Sequence, residues 1–446
     1  MRSLTLLVII ALAGCAKKAT VGDETTPRPG ARAPQRQLSH KEKAELGKAL
    51  AAYEQAQKDG MTPERCAAVA EGFGEVADDN PKLIEARFNQ GAVFEQCGEG
   101  KAAMRAYLQA LDANGSYAPA LAAAGRLTLR GGDEGRAYEY FDRAAKADPK
   151  NAEAYLGLAM VLRERARRGD AQAAKDARNN LRRALAVDAY NMDAYTTLAL
   201  LEYDLAGDDP AKLDMARLVT DQGKKLRDSY APIYNVGGLI SLKRNNVTAA
   251  LAQFKKAAEL DPSLLEAHMN IGAITLNFRD YGTAEASFRH VIASQPKNFD
   301  ALIGLGVALR GLQKVDEAER YYKEAGKADP NNAAVTYNLG VLYQDYLQQT
   351  TEQLNKARSH FQDFIARSQD KAKVEDAKAR IKNIEDTFKA IEEAKKMQAE
   401  MEKMQKEMQK ELEDQQKLMQ QQQQPAPAPA PAPEGAAPAP APAPAP

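Results

Sequence analysis

The chain has 446 residues, and its 61 lysines and arginines cancel its 61 aspartates and glutamates. A neutral balance with interspersed charges lacks the basic stripe that nucleic-acid binding requires. Tryptophan is absent and aromatics make up only 6% of the residues, so the core is built mostly from alanine, leucine and other aliphatics, which suits close-packed helix pairs.

Residues 1–14 read as a secretory signal peptide, with Arg2, an apolar run over 4–12 and then small residues. The run is too short to span a bilayer. Leu12, Ala13, Gly14 and Cys15 together resemble the bacterial lipobox, in which the cysteine becomes the lipidated first residue of the mature protein. The alternative, a buried structural cysteine, does not explain why a charged, apolar and small-residue run ends on it. Lipidation of Cys15, with palmitate among its acyl chains, implies a membrane anchor that leaves the rest of the chain soluble. Ala16 and Lys17 stand where an aspartate is absent, and by resemblance to lipoprotein sorting this implies the periplasmic side of the outer membrane. Residues 15–38 lack apolar periodicity and read as a flexible tether with a reach of roughly 25 Å. Helical pattern begins near Ser39, where Leu46, Leu50, Tyr53 and Ala56 recur at helical spacing. A second helix after Pro63 carries Val69, Phe73 and Val76, so 39–83 read as a degenerate first unit.

From Ile84 to about residue 370 the chain falls into eight recurring units, opened by Ile84, Ala118, Ala152, Met192, Ala231, Leu265, Phe299 and Ala333. The three that cover 231–332 are 34 residues each. Their positions 8, 20, 24, 27 and 32 hold Gly238, Ala250, Phe254, Ala257 and Pro262, then Gly272, Ala284, Phe288, Val291 and Pro296, then Gly306, Ala318, Tyr322, Ala325 and Pro330. Small residues let two antiparallel helices approach, the aromatic fills the gap between them, and the proline ends the second helix. This pattern resembles the tetratricopeptide repeat. The resemblance implies an all-α fold, a right-handed superhelix or α-solenoid, with a long C-terminal helix and disordered termini. The units opened by Ala152, Met192 and Ala333 are lengthened, and the extra segments near 165–173, 206–211 and 348–353 are expected between the two helices of each.

Residues 371–424 contain no glycine or proline and predict one long helix. Ile381, Ile384, Phe388 and Ile391 form one stripe, expected to cap the open end of the array. Met397, Met401, Met404, Met408 and Leu412 form a second, and the heptad slips by a residue between the two. The second stripe reads either as a lone charged helix or as a methionine-lined seam for self-association or a partner helix. Residues 425–446 alternate proline and alanine, which favours an extended polyproline II rod.

Once Cys15 is lipidated, Cys66 and Cys97 remain. In the superhelix that the resemblance implies, the second helix of one unit runs antiparallel to the first helix of the next, which brings these two cysteines together. An exported chain is in a disulfide-permissive compartment, so a bond between them is expected in preference to two free buried thiols. No catalytic set emerges. His40, His268, His290 and His360 show no His-x-x-x-His spacing, and His268 reads as a satisfied interface histidine. The carboxylates read as solvated helix faces. No metal, no cofactor and no enzymatic activity are expected.

Tetratricopeptide arrays use an inner, concave surface lined by positions 2, 5, 9, 12 and 13 of the first helices. Here those positions supply Leu156, Met160, Leu200, Leu239, Leu242, Met269, Ile303, Val307, Tyr337 and Val341. Relatives that clamp a peptide carboxylate present lysine, asparagine and arginine there, so this apolar row predicts a groove for an apolar partner segment or for the chain's own C-terminal helix. Alternatively, tight curvature buries the row. Lipobox, repeat array and Pro-Ala tail together are similar to the tetratricopeptide lipoproteins of the myxobacterial adventurous gliding motility apparatus. That resemblance implies a non-enzymatic scaffold whose partners are other cell-envelope proteins. Alternatives are a lipoprotein aiding assembly of outer-membrane proteins or a pilus secretin, an activator of a peptidoglycan synthase, and, against the composition, the binding part of an enzyme.

Overall fold

The computed structural model describes residues 39–422 other than 208 and 349. The signal peptide, Cys15, the tether up to 38 and the Pro-Ala tail lie outside the described residues. Among the described residues there are nineteen helices and no strand, and the chain divides into two bodies between Leu312 and Gln313. The first body is a run of antiparallel pairs: α1 (His40–Asp59) with α2 (Pro63–Asp79), α3 (Ile84–Gln96) with α4 (Gly100–Ala113), α5 (Ala118–Arg130) with α6 (Glu134–Ala147), and α7 (Ala152–Arg167) with α8 (Ala171–Val187). It continues with α9 (Met192–Leu205) and α10 (Pro210–Leu226), α11 (Ala231–Lys243) and α12 (Val247–Leu260), α13 (Leu265–Asn277) and α14 (Tyr281–Ser294), and ends on α15 (Phe299–Gly311). The second body holds α16 (Val315–Ala328), α17 (Ala334–Asp345), α18 (Thr351–Arg367) and α19 (Lys371–Gln422).

Local chemistry sets the helix ends. Asn151, Asp170, Asn191, Asn246, Asp280 and Asn298 each accept a backbone N–H at the start of the following helix. In the first body the turn inside each pair holds one residue in the left-handed region. Gly98 and Gly132 fill it in the early units at φ 82° and 86°, and Asn245 and Arg279 fill the same unit position at 58° and 60°. Pro262 and Pro296 stand just past the last residues of α12 and α14.

Packing between pairs depends on an aromatic wedge. Phe288 of α14 lies against Gly272 of its own unit and Gly304 of α15, and a Cβ at either glycine would come within 2.7 or 2.5 Å of the ring. Phe141 stands likewise between Gly125 and Gly157. Each ring is almost wholly buried.

The lengthened unit at Ala152 differs from expectation in how its insertion is used. Its helices α7 and α8 have 16 and 17 residues, where α11 and α12 have 13 and 14, so three residues (16 − 13 and 17 − 14) join each helix. The inserted run is rich in alanine and arginine, good helix formers, and Ala166, Ala173 and Ala174 are buried, so the helical period continues into the extension.

In the second body, α19 packs on α18. Ala377 and Ile384 are fully buried, and Ile381, Phe388 and Ile391 are half-buried. Arg380 donates to Gln344 and Asp345, both at 2.9 Å, and lies over the Phe361 ring. From Glu392 to Gln420 every side chain is exposed.

Cys66 of α2 is bonded to Cys97, which caps α3, with their Cα atoms 6.2 Å apart. The bond closes a sequence separation of 31 residues, for which loop-closure entropy gives about 3–4 kcal/mol. Reduction is expected to lower amide-exchange protection in α1 and α2 at least tenfold while leaving α11 to α14 unchanged. Uniform loss along the first body, or none, would show that the bond does not hold this end.

Candidate interaction surface

In the first body, first helices of neighbouring pairs touch one another directly, α5 with α7, α7 with α9, α9 with α11 and α13 with α15. They therefore form a wall from α5 to α11, and a second short one from α13 to α15. Leu156 and Met160 lie on α7, Leu200 on α9, Leu239 and Leu242 on α11, Met269 on α13, and Ile303 and Val307 on α15. Most of this row is half-buried, because Leu156, Leu200 and Leu239 already pack against the interhelical core. Met160 and Leu242 remain 43% and 37% exposed.

The two positions of the row that lie in the second body, Tyr337 and Val341, are taken up within the chain. Val341 of α17 is only 6% exposed, so it offers no surface to a partner. The Tyr337 hydroxyl donates to Asp376 of α19 at 2.7 Å, and its ring packs on Phe364. Within the second body, close packing and the chain's own long helix occupy these positions.

Between the apolar side chains runs a set of charged clamps that periodicity did not reveal. Glu95 of α3 is buried, and Arg126 of α5 donates to both its oxygens at 2.9 and 2.7 Å. Arg130 lies 3.0 Å from the same carboxylate, and the Tyr107 hydroxyl of α4 donates to it at 2.9 Å. Burial works to raise the Glu95 carboxyl, but the hydrogen bonds and charge of Arg126, with Tyr107 and Arg130, outweigh it and hold Glu95 below the usual carboxylate range. Glu202 of α9, also buried, receives two bonds from Arg178 of α8 at 2.7 and 3.0 Å. Arg163 of α7 donates to Asp204 of α9 at 2.6 Å. These are inter-unit ties, and they correct the reading of the carboxylates as solvated faces.

Further along, Lys224 of α10 donates to Gln253 of α12 at 2.7 Å and lies 5.1 Å from the centre of the Tyr234 ring. Burial lowers its pKa. Lys224 and Gln253, together with Arg217, Ser241 and Arg244, border a cavity of about 310 Å³. His268 stacks on His290, ring centres 3.9 Å apart, and both Nε2 atoms point at the Pro262 carbonyl. Burial, and then the neighbouring imidazole, lower the His268 pKa. The pair ties α13 and α14 to the preceding turn. Among the described residues no group of three or more histidine, cysteine, aspartate or glutamate side chains is gathered as for a metal ion, and no helix is long and apolar enough to cross a membrane.

A family model described as tetratricopeptide repeat matches residues 275–333 and 305–343. None of the curated proteins matches the sequence. Among solved structures the chain is similar to the Cut9–Hcn1 hetero-tetramer of the APC/C, at 14% identity and a TM-score of 0.50, over 68% of this chain and 55% of that one. The chain thus spans little more than half the length of that relative, and the likeness shows the fold, the all-α tetratricopeptide superhelix. Matches at lower TM-scores are pilF of Pseudomonas aeruginosa (0.39, 19% identity, covering 49% of this chain and 94% of that one) and yeast Tom70 (0.37, 17% identity, 81% and 68%).

The Glu95 clamp has a measurable signature. A carboxyl whose pKa is depressed on folding contributes stability above its unfolded pKa and loses it as pH falls through the folded value. Glu95→Gln leaves Arg126 with Glu153 as its remaining carboxylate and is expected to cost about 2 kcal/mol at pH 7 through the lost charged hydrogen bonds, read as an earlier urea transition. The gap between variant and parent should close as pH falls below about 4; a gap independent of pH would mean that lost packing, not charge, is responsible.

Proposed function

The chain carries tetratricopeptide repeats on an α-solenoid, and we propose that it is a non-enzymatic protein-interaction scaffold, anchored by a lipid on Cys15 at the periplasmic side of the outer membrane. In this reading it holds other cell-envelope proteins in a multiprotein machine, and the gliding motility apparatus of the lipoproteins it resembles is the machine to examine first. The fold is generally non-catalytic. The observation that carries the binding role is the wall of first helices in the first body. Its apolar row is mostly spent on packing, yet it keeps Met160 and Leu242 exposed, and exposed apolar side chains set in a half-buried row suit an apolar segment of a partner. The lipobox sequence ending on Cys15 supports the anchor.

Both parts are testable. Met160→Asp combined with Leu242→Asp is expected to reduce in-cell photo-crosslinking of envelope partners at this wall by at least tenfold, with far-ultraviolet circular dichroism unchanged. Undiminished capture would place the contact surface elsewhere. Cys15→Ser is expected to abolish incorporation of labelled palmitate and to move the chain from the membrane to the soluble fraction; a variant still found with the outer membrane would refute the lipid anchor.

A further inference from the structure

The exposed half of α19 has an asymmetry that the repeat array does not explain. At 3.6 residues per turn, Met397, Met401, Met404, Met408, Leu412 and Met419 fall within an arc of about 80°. All six are more than half exposed. The centre of this arc lies about 120° around the helix from Ile384, which with Ala377 is fully buried in the second body. The methionine face is therefore turned off the packed stripe and does not continue it.

The two edges of this face differ in charge. One edge carries Glu400, Glu407, Glu411 and Asp414, and the other carries Gln398, Gln405, Gln409 and Gln416. Lysines reach the acidic edge from behind, Lys403 to Glu407 and Lys417 to Asp414, and do not border the apolar face. We infer that this face pairs with the same face of a second copy of the chain, in parallel orientation. In a parallel pair related by a two-fold axis along the helices, each edge meets the opposite edge of its partner, so carboxylates face glutamine amides that donate to them. An antiparallel pair would set the acidic edges against each other along their whole length. The face is thus complementary to itself in one orientation only.

Spacing sets the form of the pair. From Met401 the face runs through Met404, Met408, Leu412, Gln415 and Met419, at intervals of 3, 4, 4, 3 and 4. Such an eleven-residue repeat averages about 3.67 residues per turn, which gives a nearly straight or slightly right-handed pair in place of a left-handed coiled coil. Gln415 is the single polar residue in the row, and a buried polar side chain pairing with its own copy fixes register. Methionine side chains adapt to each other without a demanding fit.

The inference is independent of the scaffold reading and is tested on the full chain carrying Cys15→Ser, which keeps it in water. Light scattering at tens of micromolar is expected to give twice the chain mass. Met401→Glu with Met408→Glu should return it to the single mass with helicity unchanged, since both side chains are more than half exposed. Met404→Cys and Met419→Cys, introduced one at a time and mildly oxidised, should each form a covalent dimer, while Lys406→Cys on the opposite face should not. A single mass in the parent chain, a double mass that survives both glutamates, or a covalent dimer that forms only when two different cysteine variants are mixed would each overturn the parallel pair.

Discussion

Everything in the array rests on how closely two helices approach, and that distance is set by an aromatic ring against a glycine. Phe288 touches the backbone of Gly272 in its own unit and of Gly304 in the next. One ring therefore fixes both the spacing within a pair and the spacing between pairs, and its near-complete burial leaves little freedom to shift. Repetition of this contact makes stability a sum of neighbouring interfaces, so irregular units need other means of attachment.

Those means are polar and covalent. At the N-terminal end the pair α1 and α2 lacks the small-residue pattern of the regular units, and the bond between Cys66 and Cys97 ties it to α3. Farther on, Glu95 with Arg126, Glu202 with Arg178, and Asp204 with Arg163 join helices of adjacent pairs. A buried pair of this kind adds little net stability but is costly to break. Its effect here is to penalise slippage of one unit against the next, which apolar contacts between alanines would tolerate.

Much of this fold is written in the sequence because helix pairs obey a local code. The first helices of the first body begin on the residues that open each repeat, from Ile84 in α3 to Phe299 in α15. Other features were not readable, for identifiable reasons. Gly157 and Gly304 serve the preceding unit's ring, and a motif read within one unit does not report contacts across units. Glu95 and Glu202 sit at helix positions whose charge resembles that of any solvated face, and only the arginines of neighbouring helices distinguish them. Insertions in an alanine-rich run look like loops when counted against a 34-residue frame, yet they propagate helix. The apolar row was legible as a set of first-helix positions, but its accessibility depends on what packs beside each residue, so Met160 is open and Val341 is closed.

The continuity of α19 has a mechanical consequence. Its buried stripe and its methionine face belong to one uninterrupted helix of 52 residues, without a glycine or proline to act as a swivel. The compass bearing of the outer face is therefore locked to the second body as a key's teeth are to its bow. Each residue added or removed between Ile391 and Met397 would rotate that bearing by about 100°, so the length of this plain, charged stretch is itself a specification of direction.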